Sequence, residues 1–300
     1  MIAIDLGSNS IRMLQMDKQT KKITNHFSKT VRTADGLKST GMISAEAIER
    51  IIASIEEAKL QGFDFYNNFV RAVTTQALRI AKNQAEVVEA IYKSTGVKFE
   101  IIDGEKEAQI TLNGVKRRME LLNLCMDSFM VLDIGGGSTE LIFVFNDVVV
   151  TKSFPIGIVT LTQSYSSLDK IRANIAQEMQ EVQKFINEVY ETHGKAKLFL
   201  ATAGTPTSVA SMKLGLTFKT YDKDKVTGTI ISHKDVDIEF KKLFAMSKEQ
   251  KIEAVGVGRD DLIGTGMLIY DSIFILSGMS ESIVVDDGLV EGLLLEGVKK

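Results

Sequence analysis

Tryptophan is absent, cysteine occurs once and proline twice in a chain of 300 residues. The single cysteine, Cys125, excludes an intrachain disulfide, and its setting in LLNLCMDSF predicts a buried, inert thiol. Pro155 and Pro206 are the two prolines, and no low-complexity stretch separates the halves, so a flexible tether is not expected. His26, His193 and His233 are too scattered for a metal motif; they and the twelve methionines read as solvated or core residues without a cofactor role. Neither charge dominates: 36 basic against 39 acidic residues leave a net charge of −3, which argues against a nucleic-acid partner. No apolar run approaches the roughly 18 residues that cross a bilayer. The start carries Asp5 and no basic segment, unlike a signal peptide. These absences predict a cytoplasmic protein that binds neither membrane nor nucleic acid; a homodimer stays open.

What is present is an alternation of short apolar runs and amphipathic stretches. The length suits two domains, and the 44% hydrophobic content suffices for two cores. MIAIDL and IRMLQM read as strands joined by GSNS, with KQTKK as a polar turn. Residues 44–62 carry Ile48, Ile51, Ile52 and Ile55 at helical spacing, with Ser44 as N-cap and Gly62 as stop. FVRAVTT is a strand, followed by one helix through 76–96; FEIIDGEKEAQITLNGVKRRMELL gives strand, turn and helix. After residue 129 the order recurs, with MVLDIGGG, ELIFVFND and VVVTKSFPIG as strands, a long helix at 168–193, and a strand–loop–helix in KLFLATAGTPTSVASM. Alternation of this kind predicts an α/β fold with mixed sheets flanked by helices. The division expected is 1–120 and 121–300, with a last helix near 287–300 able to pack back on the first domain, and an interdomain cleft as the natural binding site.

The same device is written twice. Aligning Asp5 with Asp133 places Gly7 on Gly135, Ser10 on Ser138 and Arg12 on Glu140. Glycine lets backbone N–H groups approach an anion, and Ser8, Asn9, Ser10, Ser138 and Thr139 add donors. Two readings are open: plain tight hairpin turns, or a pair of phosphate nests gripping one chain of phosphates. The triple glycine of Gly135, Gly136 and Gly137 favours the second, since a plain turn does not require its entropic cost. Asp5 and Asp133 end their strands beside the loops and would hold a divalent cation or orient water rather than bind phosphate.

These loops resemble the phosphate-binding hairpins of the actin, sugar-kinase and heat-shock-chaperone ATPase superfamily. With RAVTTQALRIAKN, IIDGEKEAQITLNGV, VLDIGGGSTELI, FPIGIVTLT, ATAGTPTSVASM, VTGTIIS and VVDDGLVEGLLL in order, the chain resembles the exopolyphosphatase/guanosine pentaphosphate phosphohydrolase family over essentially its whole length. It is similar to the short, two-domain form and lacks the histidine-rich helical region of long members. The resemblance implies two actin-like (ribonuclease H-like) domains. It also implies release of terminal orthophosphate from inorganic polyphosphate or of the 5′ γ-phosphate from guanosine pentaphosphate.

By the same resemblance, Glu107, just before Ala108, is the base on the attacking water, while Glu105 could equally open a helix. Arg79 matches the arginine that contacts the phosphate chain; Arg12 is either a further contact or an outward-facing strand residue. Asp133 and Glu140, with Asp5 from the other lobe, match positions near a Mg²⁺ ion. Gly204 and Thr205 match a loop beside the substrate, where a helix start favours anions. Gln109 stands where many members have arginine, and the family's proline near RDDLIGTG is missing. A superfamily ATP-dependent kinase and a non-catalytic polyphosphate or nucleotide sensor are the alternatives.

Overall fold

Ile2, Ala3, Ile4 and Leu6 of the run IAIDL are buried because β1 (Ile2–Leu6) lies in the middle of a sheet with neighbours on both sides. The computed structural model describes residues 1–298 and divides into two compact units, Met1–Val115 with the segment from Asp287 onward, and Lys116–Asp286. In the first unit β2 (Ser10–Met16) and β3 (Ile23–Thr30) follow β1 as antiparallel neighbours. A short turn of helix, α1 (Leu37–Thr40), leads into α2 (Ala45–Leu60). Ser44 caps α2 by accepting from the Ala47 amide, a bond worth about 1 kcal/mol. β4 (Val70–Thr74) pairs parallel with β1, and β5 (Phe99–Ile101) parallel with β4, giving the order β3-β2-β1-β4-β5.

The helix expected over 76–96 is broken into α3 (Gln76–Ile80) and α4 (Gln84–Thr95). Asn83 causes the break. Its side chain accepts from the Ile43 amide at 3.0 Å and donates to the Ile43 carbonyl at 2.9 Å, holding the chain out of the helical ladder while Ala81 is extended. α5 (Gly104–Leu121) follows β5, and the chain leaves the first unit within it.

The second unit repeats the plan. β6 (Ser128–Ile134), β7 (Thr139–Phe145) and β8 (Val148–Phe154) form an antiparallel meander. α6 (Ile158–Ser164) follows, and the long helix expected over 168–193 is α7 (Leu168–Glu178) and α8 (Gln180–His193), interrupted at Met179. Met179, 2% exposed, is set into the core at that break. β9 (Leu198–Thr202) adds parallel to β6 and leads into α9 (Gly204–Lys213) and α10 (Lys223–Val226). β10 (Ile230–Ser232), α11 (His233–Ala245), α12 (Lys248–Val255), α13 (Ile263–Ser277) and β11 (Glu281–Val284) complete the order β10-β11-β9-β6-β7-β8. α13 is buried on nearly every face, which explains its almost unbroken apolar sequence.

The last helix, α14 (Leu289–Val298), belongs to the first unit. Leu289, Val290, Leu293 and Leu294 pack with Met1, Ala3, Leu14 and Val73. Gly292 lets it lie against α5: a Cβ there would sit 1.9 Å from the Ile110 carbonyl oxygen. Cys125 departs from expectation and is exposed. The apolar letters around it end a helix instead of filling a core: Leu121 is 54% exposed and Asn123 turns the chain at φ +54°. Among the described residues no helix is long and apolar enough to cross a membrane.

Candidate active site

In each unit the parallel strands end at one edge of the sheet, where ligands of open α/β sheets bind. In the first unit that edge carries the loop after β1, α3 after β4 and α5 after β5. The Gly7 amide donates to the Ser10 carbonyl at 2.9 Å and closes the loop. The Ser8 carbonyl accepts from Ala34, and the Asn9 carbonyl from Val31 and Arg32, all at 2.8–2.9 Å. With its carbonyls held by the segment 31–34, the loop keeps the amides of Ser8 and Asn9 free of any bond among the described residues. That is the arrangement of an anion nest. Ser8 and Asn9 are 2% and 7% exposed, yet Ser8 Oγ and Asn9 Oδ1 accept and donate nothing; nor does Oγ1 of the fully buried Thr33. Buried polar atoms without partners are rare and mark places where a ligand or water completes the set. Sequence reasoning missed Thr33, which reads as part of an ordinary polar loop.

Arg79 and Glu107 come together here. Arg79 Nη2 donates to Glu107 Oε2 at 2.9 Å, and Arg79 Nε donates to Gln76 Oε1 at 3.1 Å. Asp103 starts α5 by accepting from the Lys106 amide at 2.8 Å, which sets Glu107 at the end of the first turn, 8% exposed. Glu105 is exposed and Gln109 faces Asn113, so neither joins the pair. Asp5 stands directly opposite Arg12 across β1 and β2.

The second unit builds the same loop with different chemistry behind it. Gly135 donates to the Ser138 carbonyl at 2.9 Å. The Gly135 and Gly136 carbonyls accept from Ile158 at 3.1 Å and Val159 at 2.8 Å, the first residues of α6. The approach is so close that a Cβ on Gly157 would lie 2.4 Å from the Gly136 oxygen, which is why FPIG ends in glycine. The amides of Gly136, Gly137 and Ser138 donate to nothing among the described residues. Thr139 spends its hydroxyl on the Ile156 carbonyl at 2.5 Å, so it anchors the loop from behind. Asp133 faces Glu140 across β6 and β7, and Glu140, 1% exposed, accepts from Ser153 Oγ at 2.7 Å. Like charges placed directly opposite are unfavourable unless a cation joins them. Two carboxylates suit Mg²⁺, which takes one or two and completes its shell with water and phosphate oxygens. Among the described residues no group of three or more His, Cys, Asp or Glu side chains could hold a metal by itself.

After β9, Ala203 is held at φ +69°, a region that costs a non-glycine residue about 1–3 kcal/mol. As the N-cap of α9 it offers no side-chain acceptor, so the amides of Gly204 and Thr205 are left uncapped. The Arg259 guanidinium lies beside Gly204, 3.7 Å from where a Cβ would be. Neither Ala203 nor Arg259 was singled out by sequence; a strained alanine has no signature, and RDD reads as an exposed turn. Thr205 is 2% exposed with its hydroxyl against α13, where a Cβ on Gly266 would come within 2.1 Å of Thr205 Oγ1. It offers its amide, not its hydroxyl, to the helix start.

The sequence pattern of the Ppx/GppA phosphatase family matches residues 14–300. Exopolyphosphatase 2 of Mycobacterium tuberculosis is 26% identical over 98% of this chain and 97% of its own. A guanosine-5′-triphosphate,3′-diphosphate pyrophosphatase of Pseudoalteromonas translucida is 29% identical, covering 98% of this chain. This chain spans 57% of that protein, and 46% of a bifunctional 3-dehydroquinate synthase/phosphatase of Fusobacterium nucleatum that is 25% identical. Among solved structures, a Ppx/GppA family member of Aquifex aeolicus superposes with a TM-score of 0.73 at 26% identity, covering 99% of this chain and 97% of that one. An exopolyphosphatase of Cytophaga hutchinsonii shares the fold with a TM-score of 0.85 at 20% identity, over 99% of this chain and 97% of its own.

Proposed function

Because the chain belongs to the Ppx/GppA phosphatase family, we propose that it hydrolyses a terminal phosphoanhydride and releases orthophosphate, from inorganic polyphosphate or from the 5′ end of guanosine pentaphosphate. The observation that carries this reading is Glu107, a buried carboxylate aimed at a guanidinium at the edge where the parallel strands end. Glu107 takes the proton of a water as its oxygen attacks the terminal phosphorus; the bond to the bridging oxygen breaks, and the shortened chain leaves with that oxygen. Arg79 binds non-bridging phosphate oxygens, exchanging part of its contact with Glu107 for them. The free amides of Ser8, Asn9, Gly136, Gly137 and Ser138 receive phosphate oxygens, and those of Gly204 and Thr205 do so at a helix start. Asp133 and Glu140 would hold a Mg²⁺ ion, which would supply charge neutralisation to the phosphates; Asp5, opposite Arg12, is the weaker candidate ligand.

The test is phosphate release from long polyphosphate, guanosine pentaphosphate and ATP in parallel, with and without Mg²⁺. Release from the first or second supports the reading. Binding without release from any of them would make the protein a sensor, and transfer from ATP to an acceptor would make it a kinase.

A further inference from the structure

One hydrogen bond beside the candidate base has no part in the phosphate chemistry. Gln76, half-buried, is the first residue of α3. Its Oε1 accepts from Arg79 Nε at 3.1 Å, and its side chain makes no other hydrogen bond among the described residues. We propose that Gln76 is a positioning residue: by occupying Arg79 Nε it restricts Arg79 to a single bond with Glu107, so that Glu107 stays basic and the outer edge of the guanidinium stays open to phosphate. The inference rests on the phosphohydrolase reading above.

A guanidinium offers its N–H groups on two edges, one formed by Nε with Nη2 and one by Nη1 with Nη2. On the first edge Nε donates to Gln76, and Nη2 donates to Glu107 Oε2 at 2.9 Å. Two different acceptors therefore share it. On the second edge Nη1 donates to nothing among the described residues, so two phosphate oxygens can be received there in parallel. Without the Gln76 oxygen, the Glu107 carboxylate could close on Nε and Nη2 together, the bidentate arrangement that arginine and carboxylate favour. That pair would hold the guanidinium against the base and would lower the proton affinity of Glu107.

The backbone sets Gln76 where this sharing requires it. At the end of β4, Thr74 Oγ1 donates to the Leu6 carbonyl at 3.0 Å and ties the strand to β1. The Arg79 amide donates to the Thr75 carbonyl at 3.0 Å and closes the turn of α3. Residues three apart on a helix lie on one face, so Gln76 and Arg79 meet side by side. On an exposed helix such a pair matters little to stability. Here the arginine is also held by a carboxylate that is 8% exposed, so the glutamine decides how many of its bonds that carboxylate can take.

Two substitutions test this in opposite directions: Gln76→Met keeps the length of the side chain and removes the acceptor, whereas Gln76→Glu keeps the acceptor and adds a negative charge. Carbon-13 NMR of the side-chain carboxylates follows the titration of Glu107 in the free protein, its signal assigned by its absence in Glu107→Gln. The pH profile of kcat/KM for phosphate release follows the same group in the working enzyme. In Gln76→Met both midpoints are expected to fall by about one unit, with kcat/KM at neutral pH about tenfold lower. In Gln76→Glu both are expected to rise, because a neighbouring negative charge favours the protonated acid. Melting temperatures within a few degrees of the unaltered protein show that both variants are folded. A Glu107 midpoint that stays in place in both variants, or moves the same way in both, overturns the inference, whatever happens to the rate. The NMR titration needs no turnover, so the parent reading fails separately: no release from any phosphoanhydride by the unaltered protein defeats the parent, and release with unmoved midpoints defeats only the role of Gln76.

Discussion

The hairpins of the two units share a frame and differ in what stands behind it. In both, a glycine amide closes the loop on a serine carbonyl at 2.9 Å, and the loop carbonyls are bound by a neighbouring segment. In both, the sheet runs third strand, second, first, fourth, β3-β2-β1-β4 in one and β8-β7-β6-β9 in the other; the first then adds β5, the second β11 and β10. The residues opposite each aspartate diverge. Asp5 stands opposite Arg12, a residue of opposite sign, whereas Asp133 stands opposite Glu140, a residue of the same sign. One scaffold therefore sets residues of opposite sign across the first hairpin and of like sign across the second. The carbonyl anchors differ too. The first loop is held by irregular chain at 31–34, the second by the first residues of α6, at a distance only a glycine at 157 permits.

The largest effect expected from this comparison concerns the anchors. Gly157→Ala should lower kcat/KM by about 10²-fold or more, because the added Cβ must push the backbone of Gly136 and Gly137 aside and displace the nest. Gly7→Ala, whose Cβ would be 3.4 Å from the Ser10 oxygen at a φ open to alanine, should cost only a few-fold. Equal losses in steady-state assays would erase the distinction between the loops.

The next effect separates the charge pairs. Glu140→Gln keeps the Ser153 hydrogen bond but removes a charge, and should raise the Mg²⁺ concentration for half-maximal activity by about tenfold or more. Arg12→Ala should raise KM for substrate and leave the Mg²⁺ dependence in place. Metal titrations of the two variants give the answer, and a Mg²⁺ shift confined to Arg12→Ala would reverse the assignment.

The smallest effect is on stability. Burial pushes the Tyr190 hydroxyl of α8 up to about 12. Its folded value lies above the unfolded one near 10, so its contribution is complete below pH 10 and is lost as the pH rises toward 12. Thermal melts of Tyr190→Phe should therefore fall less steeply between pH 10 and 12 than those of the unaltered protein. An identical slope would count against a role for this tyrosine in the second unit's alkaline stability.

How much of this was legible in sequence follows from the range of the interactions. The strands beside the loops were readable because apolar runs next to glycine clusters are local signals, and β1, β2, β6 and β7 lie where expected. The choice of Arg79 and Glu107 followed from resemblance alone, and their contact was not foreseen; 28 residues separate them, and no periodicity links them. The break between α3 and α4 was hidden because Asn83 bonds to Ile43, 40 residues away. Ala203 was hidden because its left-handed conformation is imposed by surroundings that no neighbouring letter reveals. Cys125 misled because a helix end and a core strand can carry the same apolar letters.

The central claim is that Glu107, rather than its exposed neighbour Glu105, activates the water. Phosphate release from polyphosphate by Glu107→Gln and Glu105→Gln, each measured at saturating substrate with binding checked separately, tests it most directly. The account predicts a fall in kcat of about 10²-fold or more for Glu107→Gln with polyphosphate still bound, and a mild change for Glu105→Gln. A fully active Glu107→Gln, or a larger loss at Glu105, would contradict it.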